Sequence, residues 1–102
     1  MIKIRLFCAA GFSTGMLVNN MKIAANKRNI EVDIEACPQG KLDSSTEGID
    51  VALLGPQVSY TLPKSKQICD SKNVPIAVIP MSDYGMLNGE KVLDLALELS
   101  SR

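Results

Sequence analysis

Apolar and polar positions in the first third of the chain follow three successive patterns. Residues 2–7 form a short, mostly apolar run that predicts a strand. Over residues 14–28, after a loop, apolar side chains recur at helical spacing and predict a helix. Residues 30–37 then alternate between apolar and acidic side chains. This is the pattern of a strand with one solvated face, which we place at the edge of a sheet.

The rest of the chain continues the alternation of strands and helices. Residues 50–54 are nearly all apolar, as expected for a strand that is covered on both faces. The predicted elements of this part are a short helix at 43–48, the strand at 50–54, one helical turn at 58–62, a helix from Pro63 to about residue 72, a strand at 75–79, a loop at 80–89 and a helix at 90–100.

Strand and helix thus alternate four times, which predicts an α/β fold. We expect a single doubly wound, four-stranded parallel sheet with right-handed crossovers and helices on both faces. The apolar character of the first and third strands favours the strand order 2-1-3-4, with the second strand outermost. The length of 102 residues, 46% of them hydrophobic, suits one domain over residues 1–102.

Charge and cysteine content restrict the function classes. Eleven basic and eleven acidic side chains give a net charge of zero, so we expect no nucleic-acid partner and no anionic membrane surface. The first residues run directly into a strand pattern and do not resemble a signal peptide. Three cysteines far apart in sequence argue for a reducing compartment, which indicates a cytoplasmic protein. The chain has no histidine, so any nucleophile must work without a histidine base.

The segment after the first strand has the composition of an anion-binding loop. Its residues are Cys8, Ala9, Ala10, Gly11, Phe12, Ser13 and Thr14. Small side chains allow the backbone to curl, a glycine can adopt positive φ, and the two hydroxyl residues are good N-caps for the helix that comes next. Because no charged residue occurs between Arg5 and Lys22, backbone N–H groups and hydroxyls would hold a phosphate in this phosphate-binding loop, or P-loop.

Cys8 is the candidate nucleophile. Cysteines at helix N-termini ionise readily, so we expect a thiolate that attacks without a base. The alternative is a small buried side chain at the end of a strand. We predict this structural role for Cys37, which ends an edge strand before a proline, and for Cys69, which lies in a predicted helix.

Several chemistries use a cysteine in this position. Low-molecular-weight tyrosine phosphatases and related arsenate reductases carry an arginine six residues after it, where this chain has Thr14. Without a guanidinium on the phosphoryl oxygens a phosphocysteine should persist, which favours a carrier over a hydrolase. A flavodoxin-type module would need aromatic residues around a flavin, and only Tyr60 and Tyr84 are placed to serve. A receiver domain would need an aspartate where Leu54 ends the third strand.

Three segments together resemble enzyme IIB of the lactose/cellobiose (chitobiose) class of the sugar phosphotransferase system, over essentially the whole chain. They are residues 8–14, residues 51–57 with Tyr60, and residues 81–89. The resemblance implies a fold like that of the low-molecular-weight tyrosine phosphatases and no cofactor or metal. It also implies that Cys8 accepts a phosphoryl group from a histidine of enzyme IIA and passes it to a disaccharide bound by the permease, enzyme IIC. The family usually has Met at the position of Phe12.

An apolar collar around the same crevice is the candidate docking surface. We expect Phe12, Gln57, Tyr60 and Tyr84 to contact partner proteins, with Phe12 acting either as a docking contact or as a lid. For Gln57 the alternatives are that its amide reaches the phosphate or that it caps the turn after Pro56. The other members of the collar are Val58, Leu62, Met81 and Met86, of which two or three are expected to be ordinary core residues. Asp83 is expected to cap the turn at Tyr84.

Overall fold

A computed structural model describes residues 1–9 and 11–101. The strands are β1 (Ile2–Cys8), β2 (Val32–Pro38), β3 (Val51–Leu54) and β4 (Ile76–Val78). The α-helices are α1 (Gly11–Lys27), α2 (Leu42–Ser45), α3 (Leu62–Ser71), α4 (Met81–Gly85) and α5 (Gly89–Ser100), and short 3-10 helices span Gln39–Lys41 and Pro56–Thr61.

The four strands form one parallel sheet in the order β2-β1-β3-β4, which confirms the predicted topology. The alternating strand lies at one edge, and the apolar strands β1 and β3 lie in the centre. All four β3 side chains are buried, because helices cover both faces of the sheet there.

The sheet separates two hydrophobic layers. On one face Ile4 and Leu6 pack with α1 and α5, and Cys8 belongs to this layer because it continues the same alternation along β1. On the other face Phe7 packs with the layer beneath α2 and α3. Cys37 and Cys69 belong to this second layer, so the sheet stands between Cys8 and the other two thiols.

The elements after β1 and β4 differ from the predictions. The first helix begins at Gly11, so Thr14 lies inside α1 and the prediction that it caps the helix is wrong. The predicted loop at 80–89 contains α4, which closes with a hydrogen bond from Tyr84 N to Pro80 O of 3.0 Å. Asp83 lies within this helix and is not its N-cap. A helix of five residues is too short to leave a periodic signal in the sequence.

Candidate functional site

Cys8 lies where ligands bind in sheets of this kind. It is the last residue of β1, and Gly55 comes directly after the neighbouring strand β3 at the same edge of the sheet. In open parallel sheets the crevice beyond the carboxyl ends of the strands, where the chain order reverses, is the usual binding site. The strand order places that reversal between β1 and β3.

Three side chains from three elements meet at this point. The hydroxyl of Thr14, the fourth residue of α1, donates to Cys8 Sγ over 2.8 Å. Its oxygen lies 2.9 Å from the hydroxyl of Tyr84 in α4. The Tyr84 oxygen is 4.0 Å from the sulfur. All three residues are buried, with exposed fractions of 4% for Cys8, 1% for Thr14 and 6% for Tyr84. The sulfur therefore has a hydroxyl donor where the phosphatases have an arginine.

Gly55 lies close against the Cys8 sulfur. A methyl group at this position would lie 3.0 Å from Cys8 Sγ and 2.9 Å from Gln57 Oε1, closer than side chains normally pack. Gln57 is exposed, and its amide oxygen and the Cys8 sulfur both border the space that a side chain at position 55 would fill. The absence of a side chain at 55 is what allows the thiol and the amide to approach the same point.

The N-terminus of α1 comes only three residues after Cys8, which supports the predicted anion cradle. The N–H groups of a first helical turn have no partner within the helix, and the helix dipole favours a negative charge there. Ala9 is exposed beside this turn. The contacts predicted for Ala10 lie outside the described residues, as do those of the side chains of Gly11, Phe12 and Ser13.

The predicted docking residues fall into two groups. Gln57 is exposed and Tyr60 is 80% exposed, so both are accessible to a partner. Tyr84 is buried with its hydroxyl turned towards Thr14, so the expectation that it forms an exposed contact is corrected. Val58 is also a core residue. Among the side chains that the structure describes in this region, the exposed apolar ones are those of Tyr60, Met81 and Met86.

The other two thiols are placed away from this site. Cys69 is fully buried, and burial raises the pKa of its thiol, with a further contribution from the neighbouring Asp70 carboxylate. Cys37 is half-buried on β2. In the described part of the chain, no group of three or more His, Cys, Asp or Glu side chains is arranged to hold a metal ion. None of the described helices combines the length and the apolar character needed to cross a membrane.

Comparison with known proteins places the chain in a family. Residues 3–95 match the family model described as "PTS system, Lactose/Cellobiose specific IIB subunit". The chain is 37% identical over 99 residues to the oligo-beta-mannoside-specific EIIB component of Bacillus subtilis, covering 97% of this chain and 96% of that protein. It is 40% identical over 101 residues to the galactose-specific EIIB component of Lactococcus lactis subsp. cremoris, covering 94% of each.

Two solved structures show the same fold. The cellobiose-specific IIB protein of Borrelia burgdorferi has a TM-score of 0.81 and 39% identity, covering 98% of this chain and 92% of that one. The lactose-specific IIB domain of Streptococcus pneumoniae has a TM-score of 0.85 and 22% identity, covering 95% of each chain. The chain therefore belongs to the lactose/cellobiose-specific IIB subunits of the sugar phosphotransferase system, which are phosphotransferases that work with EIIA and EIIC partners.

Proposed function

We propose that this protein is a cytoplasmic phosphocarrier in which Cys8 accepts a phosphoryl group from a phosphohistidine of enzyme IIA and passes it to a disaccharide bound by enzyme IIC. The observation that carries the proposal is the position of Cys8 at the end of β1, with the Thr14 hydroxyl directed at its sulfur. Family membership supports the sugar-directed role, since relatives are named for oligo-β-mannoside, galactose and cellobiose.

The first step forms a bond between sulfur and phosphorus. The Cys8 thiolate attacks the phosphorus of the donor phosphohistidine, the S–P bond forms, and the P–N bond breaks. The electron pair of that bond remains on the imidazole nitrogen, which then takes up a proton. The chain contains no histidine that could act as a base, and the described hydroxyl nearest to the sulfur is that of Thr14, which donates to it over 2.8 Å.

The second step transfers the group to the sugar. A hydroxyl oxygen of the bound disaccharide attacks phosphorus, the S–P bond breaks, and the sulfur leaves as thiolate. The sugar hydroxyl releases its proton to solvent. Because the electron pair of the S–P bond stays on the sulfur, Cys8 returns in the ionised form that is required for the next cycle. In the proposal the phosphoryl oxygens are held between the steps by the segment from Ala9 to Thr14, through backbone N–H groups at the start of α1.

Both partners must reach the same sulfur, so the residues around the crevice are the proposed docking surface. Gln57 and Tyr60 contribute to it, and we retain Phe12 as a docking residue or lid on the sequence argument. Met81 and Met86 replace Tyr84 in this role, because they are exposed on and beside α4 whereas Tyr84 is buried.

The test is to identify the phosphorylated residue. We expect incubation with the general phosphotransferase components and a phosphorylated IIA protein to add one phosphoryl group, which peptide mass spectrometry should locate on Cys8. Cys8→Ser should accept none, because a serine hydroxyl without a base stays un-ionised. Cys37→Ser is the matched control and should accept one group. A phosphoryl group on another residue, or none with any IIA of the lactose/cellobiose class, would overturn the proposal.

A further inference from the structure

Tyr84 is too far from the sulfur for a strong direct interaction but is well placed to act through Thr14. Its hydroxyl lies 4.0 Å from Cys8 Sγ, at the outer limit for a hydrogen bond to sulfur, and 2.9 Å from the Thr14 oxygen. The Thr14 oxygen is in turn 2.8 Å from the sulfur. The three groups form a continuous chain of polar contacts that bends at the Thr14 oxygen, and the residues that carry them are all buried.

When Cys8 is ionised, the number of hydroxyl protons in this chain of contacts determines which group donates in each hydrogen bond. A thiolate can only accept a hydrogen bond, so Thr14 must use its single hydroxyl proton to donate to the sulfur. The pair between Thr14 and Tyr84 then has one available proton, that of the phenol. Tyr84 is therefore the donor in that pair, and the donated bond polarises the Thr14 hydroxyl towards the sulfur.

We propose that Tyr84 is a positioning residue of the phosphoryl-transfer site, which orients the Thr14 proton towards the Cys8 sulfur by donating to the Thr14 oxygen. We call this chain of contacts from Tyr84 through Thr14 to Cys8 the hydroxyl relay. The proposal rests on the proposed function of Cys8 as phosphoryl acceptor and adds a residue on which that function depends.

The surrounding backbone holds Tyr84 at a fixed distance from α1. The Tyr84 N–H donates to Pro80 O over 3.0 Å, which anchors α4 to the end of the segment after β4. Asn20 in α1 donates through Nδ2 to Leu87 O over 2.9 Å and so ties α1 to the segment after α4. The Tyr84 ring also belongs to the hydrophobic layer beneath α1 and α5. Tyr84 is thus held in place relative to α1, the helix that carries Thr14.

The first test removes one oxygen atom. Tyr84→Phe keeps the ring and its packing but abolishes the donor to Thr14. We expect the rate constant for phosphoryl transfer from phosphorylated IIA to Cys8 to fall about tenfold, as for the loss of one hydrogen bond near a charge. The donor concentration at half-saturation should not change, because the buried Tyr84 does not contact the donor. Rapid-quench kinetics measures both quantities, and thermal unfolding checks that the variant is folded.

A double-mutant cycle separates the relay from a structural role. Thr14→Val removes the intermediate hydroxyl while keeping its shape, and Thr14→Ser should recover most of the lost rate by restoring the hydroxyl. If Tyr84 acts through Thr14, adding Tyr84→Phe to Thr14→Val should slow transfer no further. Two multiplicative losses, or wild-type rates in Tyr84→Phe, would overturn the proposal.

Alkylation of Cys8 by iodoacetamide at fixed pH gives a readout that needs no partner protein. The alkylation rates of Tyr84→Phe, Thr14→Val, Thr14→Ser and the double variant should follow the same order as their phosphoryl-transfer rates. This measurement does not depend on a IIA protein. If no IIA protein phosphorylates the wild type, only the proposed function is contradicted. Labelling with 3-fluorotyrosine avoids mutation of Tyr84 altogether, since fluorine makes the phenol a stronger donor. Alkylation should become faster in the labelled wild type and stay unchanged in labelled Thr14→Val. An equal response in both proteins would contradict the relay.

Discussion

The three thiols of the chain differ in their surroundings more than in their accessibility. Cys37 is half-buried and is more accessible than Cys8, which is 4% exposed. Only Cys8, however, accepts a described hydroxyl hydrogen bond and lies beside the N-terminus of a long helix. Cys69 has neither feature, and burial raises the pKa of its thiol. If exposure controlled reactivity, Cys37 would react first, whereas the hydroxyl donor and the nearby helix N-terminus favour Cys8.

We therefore expect limiting iodoacetamide at about pH 6.5 to alkylate Cys8 before Cys37 and Cys69, because the thiolate is the reactive form. Inorganic phosphate should slow this reaction by occupying the cradle beside the sulfur. Peptide mass spectrometry of a time course measures both effects, with a buffer of equal ionic strength that contains no phosphate as the control. Earlier labelling of Cys37 or Cys69, together with no effect of phosphate, would argue against an activated Cys8.

How far single residues can be predicted depends on whether their neighbours in space are neighbours in sequence. Cys8 is predictable from the six residues directly after it, since these form a local pattern. The contact between Thr14 and Tyr84 joins residues that are 70 positions apart. An aromatic residue in a predicted loop resembles a docking contact as much as a buried donor. That the segment from Gly55 to Gln57 meets the Cys8 loop follows from the strand order, but only the fold shows that Gly55 lies too close to the sulfur to carry a side chain.

At the scale of elements, α5 packs closely against α1, the helix that carries Thr14. Gly89, the first residue of α5, lies so close to α1 that a methyl group there would be 2.4 Å from the Asn20 carbonyl carbon and 2.6 Å from Met21 N. These are backbone atoms of a helix and cannot move independently. The neighbouring Asn88 caps α5 by accepting from Lys91 N over 3.1 Å.

Gly89→Ala should therefore lower the free energy of unfolding by about 1–3 kcal/mol or more, the usual cost of overpacking. The matched control is Gly15→Ala in α1, where a methyl group meets no atom within 4 Å. That variant should be stabilised by about 0.5–1 kcal/mol, because alanine is the better helix former. Urea unfolding monitored by circular dichroism measures both. Equal stabilities of the two variants would show that α5 moves away from α1 without cost.

The elements themselves were predictable where the hydrophobic pattern is long. The strand order could be inferred from the contrast between the alternating β2 and the apolar β3, since an edge strand has one solvated face and a central strand has none. The short α4 was missed because local hydrogen bonds and the preceding Pro80 define it, and neither gives a periodic signal. Its existence matters for the site, because it carries Tyr84.

At the scale of the whole molecule, the fold and the position of the cysteine are compatible with either a carrier or a hydrolase. The difference between them lies in which side chain stabilises the charge on the phosphoryl oxygens while water attacks a phosphocysteine. A phosphatase directs an arginine at these oxygens, and the corresponding residue in this chain is Thr14, which donates to the sulfur instead. The loss of one well-placed contact of this kind costs roughly 10²–10³ in rate. The arrangement should therefore protect the S–P bond until a sugar is presented.

The protein phosphorylated at Cys8 should accordingly persist for many minutes at neutral pH without a sugar, and the unmodified protein should hydrolyse p-nitrophenyl phosphate negligibly. Backbone N–H groups hold the dianion in both the ground state and the transition state, so they bind the group without accelerating its hydrolysis. Intact-mass measurements over time follow the loss of the phosphoryl group, and absorbance follows the release of p-nitrophenol. Cys8→Ser provides the background rate for the second assay. Turnover of p-nitrophenyl phosphate at phosphatase-like rates, abolished in Cys8→Ser, would instead identify a hydrolase.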